Sequence, residues 1–479
     1  MTFIMSNSKN DLKSFIENNF LLVFSIPIIF NSGFNLFKNL NTVYLDKLNI
    51  IKLSSLILGT FFFVYLSNFL NNQFAIGGRS IALVFYLTSY FVFDSVLMFA
   101  GRQMTFQSTF LLISFFWSIL IIYKTRTLIE IFKIFSFLFI YKIFNNFFFD
   151  DLVNNLNYKE LNTDVQAQWF ELASMIYESN YFFALKNNLI EGQGLLPSYI
   201  QALLFEIGFN SEKFQFIQVN SYLFISFGVL LITDLKISKK NKIISSILFI
   251  SLITNNDWLE YLLVNSLMIE GIVSFFISVY LYNFLHMYKN KNLTSLLFFL
   301  SFGGMVLTKN FVSLISLLII IFSIFFLKRN IFLLGSFVVY GLNLFYQKIY
   351  FSELQNFAYT SEIDFKDLFF DFIYLRDLDL TKPLDIVTQF LIDKPTTYIV
   401  LVFFIINIII FRKFGFNLST NGLIFIFVIL NYILVNLLYV SVWRNMEFES
   451  SYRYIISCFH MIFVSLVIGI SKLEESNEF

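Results

Sequence analysis

Apolar residues run along this chain in blocks of membrane-spanning length, separated by short polar breaks. A helix that crosses the ~30 Å hydrocarbon core of a bilayer needs about 17 to 25 mostly apolar residues. Blocks of that kind predict helices near 20–37, 52–71, 80–100, 107–123 and 128–149. A long polar break follows at 150–213, and further blocks stand near 214–234, 241–255, 261–284, 293–308, 310–327, 330–346, 396–412, 421–442 and 454–470. The pattern predicts an all-α, polytopic transmembrane helix bundle of about fourteen spans. Its regions are five N-terminal helices in 1–149, an outer loop at 150–213, core helices in 214–346, a second outer loop at 347–395, and C-terminal helices in 396–479.

Which loops face the cytoplasm follows from lysine and arginine, which accumulate in short cytoplasmic breaks. Lys236, Lys239, Lys240 and Lys242 fix one side as cytoplasmic, and alternation puts Lys289 with Lys291, Lys328 with Arg329, and Arg412 with Lys413 on the same side. Counting backwards, Lys124, Arg126, Lys9 and Lys13 are inside as well. Both termini are then expected in the cytoplasm, and the protein in a bacterial inner membrane. The segment 195–209 is apolar but short, and a crossing there would reverse everything upstream. Pro197 suits the first turn of a helix, so the segment is expected to lie along the outer leaflet as a juxtamembrane helix. Both long breaks, 150–213 and 347–395, fall outside and hold most of the acidic residues.

Composition strengthens this picture. The chain is 57% hydrophobic and 14% charged, with a mean hydropathy of +0.73, whereas soluble proteins are about one quarter charged. A net charge of +1 leaves no basic footprint for nucleic acid. Membrane lipids are the expected surroundings. The single cysteine, Cys458, excludes a disulfide framework. His286 and His460 have no metal-ligand companion at useful spacing, and no Walker, dinucleotide or His-Glu-x-x-His motif occurs. The polar N-terminal stretch 1–19 and the apolar block after it read as a retained first span, with no cleavable signal peptide.

The chemistry-bearing positions are few. Asp164 precedes a helical pattern in which Leu172, Ala173, Ile176 and Tyr177 recur after Trp169. This predicts an amphipathic helix at the outer leaflet with Trp169 at headgroup depth and Asp164 at its start, where a carboxylate also serves as an N-cap. Lys309 and Arg453 stand at outer ends of predicted spans, where snorkelling to the interface is the plain alternative to a ligand role. Glu270 lies deep in a predicted span, a costly position for an ionisable group. Asp94 is similarly placed and is read as a packing residue.

Four segments, in order along the chain, resemble the GT-C superfamily of multi-span glycosyltransferases. They are Asp164 to Trp169 with Ala173, the stretch 194–205 around Pro197, Leu307-Thr308-Lys309, and 449–454 with Tyr452 and Arg453. Two departures stand out: Phe311 occupies a position where many relatives have glutamate, and Pro197 is single where a pair is common. The resemblance covers roughly 160–210, 255–310 and 440–470, and leaves the first five predicted helices unexplained.

The resemblance implies transfer of a sugar from a polyprenyl-phosphate carrier to a glycan, lipid or protein acceptor at the outer, periplasmic face. Asp164 would be the catalytic base. Lys309 and Arg453 would hold the phosphate, and Trp169, Glu270 and Tyr452 would complete the substrate site. No cofactor is required by this reading, which leaves room for a divalent metal without naming its ligands. Two rivals are a lipid-linked oligosaccharide flippase, which would show polar residues through the bundle and related halves, and a polysaccharide polymerase, expected to use arginines in two large loops. Here Arg376 is the only arginine in the second loop.

Overall fold

A computed structural model describes residues 60, 63–72, 79–99, 102, 104–125, 128, 129, 132, 133, 136, 139, 169–187, 195–207, 219–234, 237–253, 405, 463, 464, 467, 470, 471 and 474. Among these residues the regular structure is all helical, with no strand. Four helices lie over blocks that hydropathy predicts: α1 (Arg79–Phe99) and α2 (Phe106–Thr125) before the first long break, α6 (Val219–Asp234) and α7 (Lys239–Ile253) after it. Between them come α3 (Glu171–Glu178), α4 (Tyr181–Lys186) and α5 (Leu196–Ile207). Of the described helices, α2 is the one long and apolar enough to cross a membrane by length and composition.

Helices α1 and α2 form an antiparallel hairpin held by polar rungs. Trp117 Nε1 donates to Ser89 Oγ at 3.1 Å, the hydroxyls of Tyr90 and Ser114 lie 3.1 Å apart, and Thr109 Oγ1 donates to Asp94 Oδ1 at 3.5 Å. Helix α2 starts at Thr105, whose Oγ1 accepts from the Ser108 amide at 3.3 Å, a side-chain cap of the expected type. It buries Phe106, Thr109, Ile113, Trp117 and Ile121, one stripe at helical spacing. Between its polar ends the rest of its surface is largely apolar and faces outward: Leu111, Phe115, Phe116 and Ile119 are exposed, Phe115 by 66%. Farther along, Leu128, Ile129, Phe132 and Phe139 are exposed too. The interior holds Ser67, Thr88, Asp94, Thr109, Ser198 and Gln201.

Helix α6 packs on α1 and on α7. At its contact with α7, Gly228 receives the ring of Phe249, which also meets Phe463 at 5.2 Å between centroids. Ser238 caps α7 through the Asn241 amide, and Glu474 accepts from the Ser238 amide at 2.6 Å and from Asn241 Nδ2. Phe249 and Phe463 each stand eleven residues from that capping contact, so the C-terminal helical residues 463–474 run antiparallel to α7.

Candidate functional site

The predicted outer loop supplies a three-helix module that sits on the α1–α2 hairpin. Helix α3 forms where Leu172, Ala173 and Ile176 make an apolar stripe, and these are the residues it buries. It does not continue to Lys186 as one helix. The chain breaks at Ser179, and Asn180 restarts it as α4 by accepting the Phe183 amide at 2.8 Å. Helix α5 begins with Pro197 in its first turn, as the pyrrolidine ring favours. At about 1.5 Å per residue its 12 residues reach ~18 Å, short of a ~30 Å hydrocarbon core.

Helix α5 differs from an interfacial helix in one respect. Its described side chains from Leu195 to Phe205 are all buried, with no face turned outward. The sequence explains this, since Leu-Pro-Ser-Tyr-Ile-Gln-Ala-Leu-Leu-Phe has hardly any polar stripe to present to water. Phe205 packs on Phe170 and Tyr177 from α3 and its preceding turn, with ring centroids 6.0 Å and 5.9 Å apart. Tyr199 meets Phe91 of α1 at 5.4 Å, Phe106 of α2 at 5.5 Å and Tyr181 of α4 at 6.1 Å. The module also completes the start of α2, because the Phe106 amide donates to the Ser179 carbonyl at 3.0 Å.

Of the six residues expected at the site, Trp169 is described. It lies in a π turn ahead of α3, 4% exposed, and its carbonyl accepts Ser198 Oγ at 3.2 Å. The ring is enclosed by protein, because the α3 stripe turns toward α5. The N-cap of α3 is Phe170, whose backbone dihedrals are themselves helical and which makes no side-chain cap bond. Asp164, Lys309, Arg453, Glu270 and Tyr452 lie outside the described residues, as does the second outer loop.

Asp94, expected from the sequence to be a packing residue, is buried in the hairpin near the end of α1. It is 5% exposed; its Oδ1 accepts Thr109 at 3.5 Å, and its Oδ2 is buried with no hydrogen-bond partner. Three residues before it on α1, Phe91 meets Tyr181 and Tyr199, and Tyr199 meets Phe106 and Tyr181, ring against ring. The Tyr199 hydroxyl donates to the Tyr90 carbonyl at 3.2 Å. Burial pushes the Tyr199 and Tyr181 phenols up from the usual tyrosine value, and the Asp94 charge adds to both shifts. At neutral pH both stay protonated, and the Tyr199 hydroxyl is a donor, not a base. Tyr177 is raised as well, by burial first and then by Glu206. The signal for Asp94 was available as an acid inside an apolar block; what it faces was not.

Among the described residues no group of three or more His, Cys, Asp or Glu is placed to hold a metal ion. Comparison with protein-family models, curated proteins and solved structures gives no match to this chain.

Proposed function

We propose that this protein is a polytopic inner-membrane glycosyltransferase of about fourteen spans, with both termini cytoplasmic, that moves a sugar from a polyprenyl-phosphate carrier to an acceptor at the outer face. The membrane reading is supported by inverted polarity: hydroxyls and a carboxylate sit between α1 and α2, while leucines and phenylalanines of α2 face outward. A soluble protein rarely exposes an apolar patch of that extent. The antiparallel pairing of α7 with the C-terminal helical residues requires an even number of crossings between them, and six apolar blocks stand between 255 and 454.

One observation carries the transferase reading. The two motif segments within the described residues, Trp169 with Ala173 and the Pro197 helix, pack directly on one another through the Ser198 to Trp169 hydrogen bond and the Phe170, Tyr177 and Phe205 rings. They do so on the end of the hairpin that the lysine pattern puts outside. A helix pair seated there is what an outer transfer site needs to hold Asp164 against the membrane surface.

In this reading the acceptor hydroxyl attacks the anomeric carbon, the bond from that carbon to the carrier phosphate breaks, and the proton passes to Asp164. One displacement inverts the configuration. Lys309 as a point charge and Arg453 bidentately stabilise the departing phosphate. Trp169, Glu270 and Tyr452 are the further substrate-site residues.

The test is mass spectrometry of lipid-linked sugars and surface glycans in cells with the gene, without it, and with Asp164→Asn. A glycan lost in both deletion and variant, with its lipid-linked precursor accumulating, is the expected result. An unchanged profile in Asp164→Asn cells refutes the assignment and favours a lipid-linked oligosaccharide transporter.

A further inference from the structure

We propose that α4 seats the module on the outer leaflet, with Phe183 among the acyl chains and Lys186 on the phosphates of anionic phospholipids. This rests on the membrane placement of the hairpin and not on the transferase assignment.

Hydropathy gives the interfacial role to the segment around Pro197, and burial moves it elsewhere. Helix α5 has no outward face among its described side chains, so it has nothing to offer a lipid surface. The other two helices of the module expose faces of opposite character. On α3 the exposed residues are Glu171 and Glu178, an acidic face that anionic headgroups repel. On α4, Tyr181, Ala184 and Leu185 turn inward, which leaves Phe183, 46% exposed, and Lys186 outside, with Phe182 half-buried. The Lys186 ammonium stands 4.7 Å over the centre of the Phe182 ring, an attraction that holds the cation against the helix. An aromatic ring beside a lysine complements a phosphate layer lying over acyl chains: the ring enters the chains and the ammonium snorkels to the phosphates.

Depth agrees with this placement. The Tyr181 ring meets Phe91 at 5.3 Å, and Phe91 stands eight residues before the end of α1, ~12 Å along its axis. With that helix end at the interface, the contact falls within the ~15 Å of hydrocarbon in one leaflet. Next to Phe91 on α1, Val92, Phe93 and Val96 are exposed and apolar. Helix α4 is thus anchored beside a lipid-facing stretch of the hairpin.

The experiment uses the full chain, purified in a Cys458→Ser background and reconstituted in phosphatidylcholine vesicles into which phosphatidylglycerol is titrated. A single cysteine carrying a bimane fluorophore replaces Phe183, Glu178 on the acidic face of α3, or Leu111 on the outward face of α2. Each label is quenched from the lipid side by phosphatidylcholine brominated near the headgroup end of its chains, and from the water side by iodide.

Bromolipid is expected to quench the labels at 183 and 111 several-fold more than the one at 178, and iodide the reverse. Phosphatidylglycerol should raise bromolipid quenching at 183, and Lys186→Gln should shift the half-maximal fraction upward about fivefold, the scale of one lysine at an anionic surface. Phe183 and Lys186 are both exposed, so these changes leave the core of the module intact. A label at 183 as open to iodide as the one at 178 overturns the proposal, and so does a titration that Lys186→Gln leaves unchanged. Shielding that appears only after polyprenyl phosphate is added gives the face to a carrier lipid and overturns it too. If the label at 111 escapes bromolipid, the membrane placement fails and this inference with it; a label quenched at 111 but open to iodide at 183 sinks the α4 seat alone.

Discussion

Gly228→Ala sets two effects of opposite sign against each other, and the structure says which wins. In a helix interior, alanine is favoured over glycine by about 1 kcal/mol, so on propensity alone the substitution at this α6 position would stabilise. A Cβ there, however, would stand 2.8 Å from Phe249 Cε1 and closer still to Cζ and Cε2. Carbon atoms pack best at about 3.5 to 4.0 Å, so the ring tip must retreat by well over about 1 Å. It has nowhere to go, since Phe249 is fully buried and backed by Phe463 at 5.2 Å. Overpacking of this kind costs about 1–3 kcal/mol, and the net effect is a destabilisation of up to roughly 2 kcal/mol. The assay is unfolding of purified protein in mixed micelles by graded SDS, followed by tryptophan fluorescence. Phe249→Ala alone should cost about 3–5 kcal/mol, and in that background Gly228→Ala should change sign and become stabilising. A Gly228→Ala protein more stable than wild type, or the same sign in both backgrounds, would refute the close approach of α6 and α7.

Three further outcomes are expected. A cysteine at Asn187 or Asp379 should react with a membrane-impermeant thiol reagent in intact cells while one at Ser238 should not; labelling at 238 would reverse the orientation and remove the outer site. Glu474→Ala takes away the acceptor of the Ser238 amide and Asn241 Nδ2, and should cost about 1 kcal/mol, below the usual range for charged hydrogen bonds because the site is partly wet; limited proteolysis of the C-terminal helix from the cytoplasmic side reads this, and unchanged cleavage argues against the contact. Lys309→Ala and Arg453→Ala should weaken both donor binding and turnover, since a phosphate contact acts in ground and transition states alike. Wild-type saturation curves would return both cations to snorkelling roles.

Among the described residues, the sequence by itself determined where the long helices lie. Blocks predicted at 80–100, 107–123, 214–234 and 241–255 became Arg79–Phe99, Phe106–Thr125, Val219–Asp234 and Lys239–Ile253. Hydropathy summed over some twenty residues is a local quantity, and backbone groups in an apolar stretch must be satisfied within the segment. The stripe of Leu172, Ala173 and Ile176 was legible for the same reason. The break at Ser179–Asn180 was readable in principle, because Asn is a strong cap, but Tyr181 and Ala184 continue the apolar pattern across it. The tertiary structure alone decided what each stripe meets. It turned Trp169 inward, because α3 has α5 to bury against, and it enclosed Tyr199 among helices α1 and α2 from before the polar break and α4 from within it. It also put Asp94 against Thr109, 15 positions away on the next helix. An acid in an apolar block reads from sequence as a cost; its partners become visible only once distant helices are folded around it, because an electrostatic contact is set by distance in space and not along the chain.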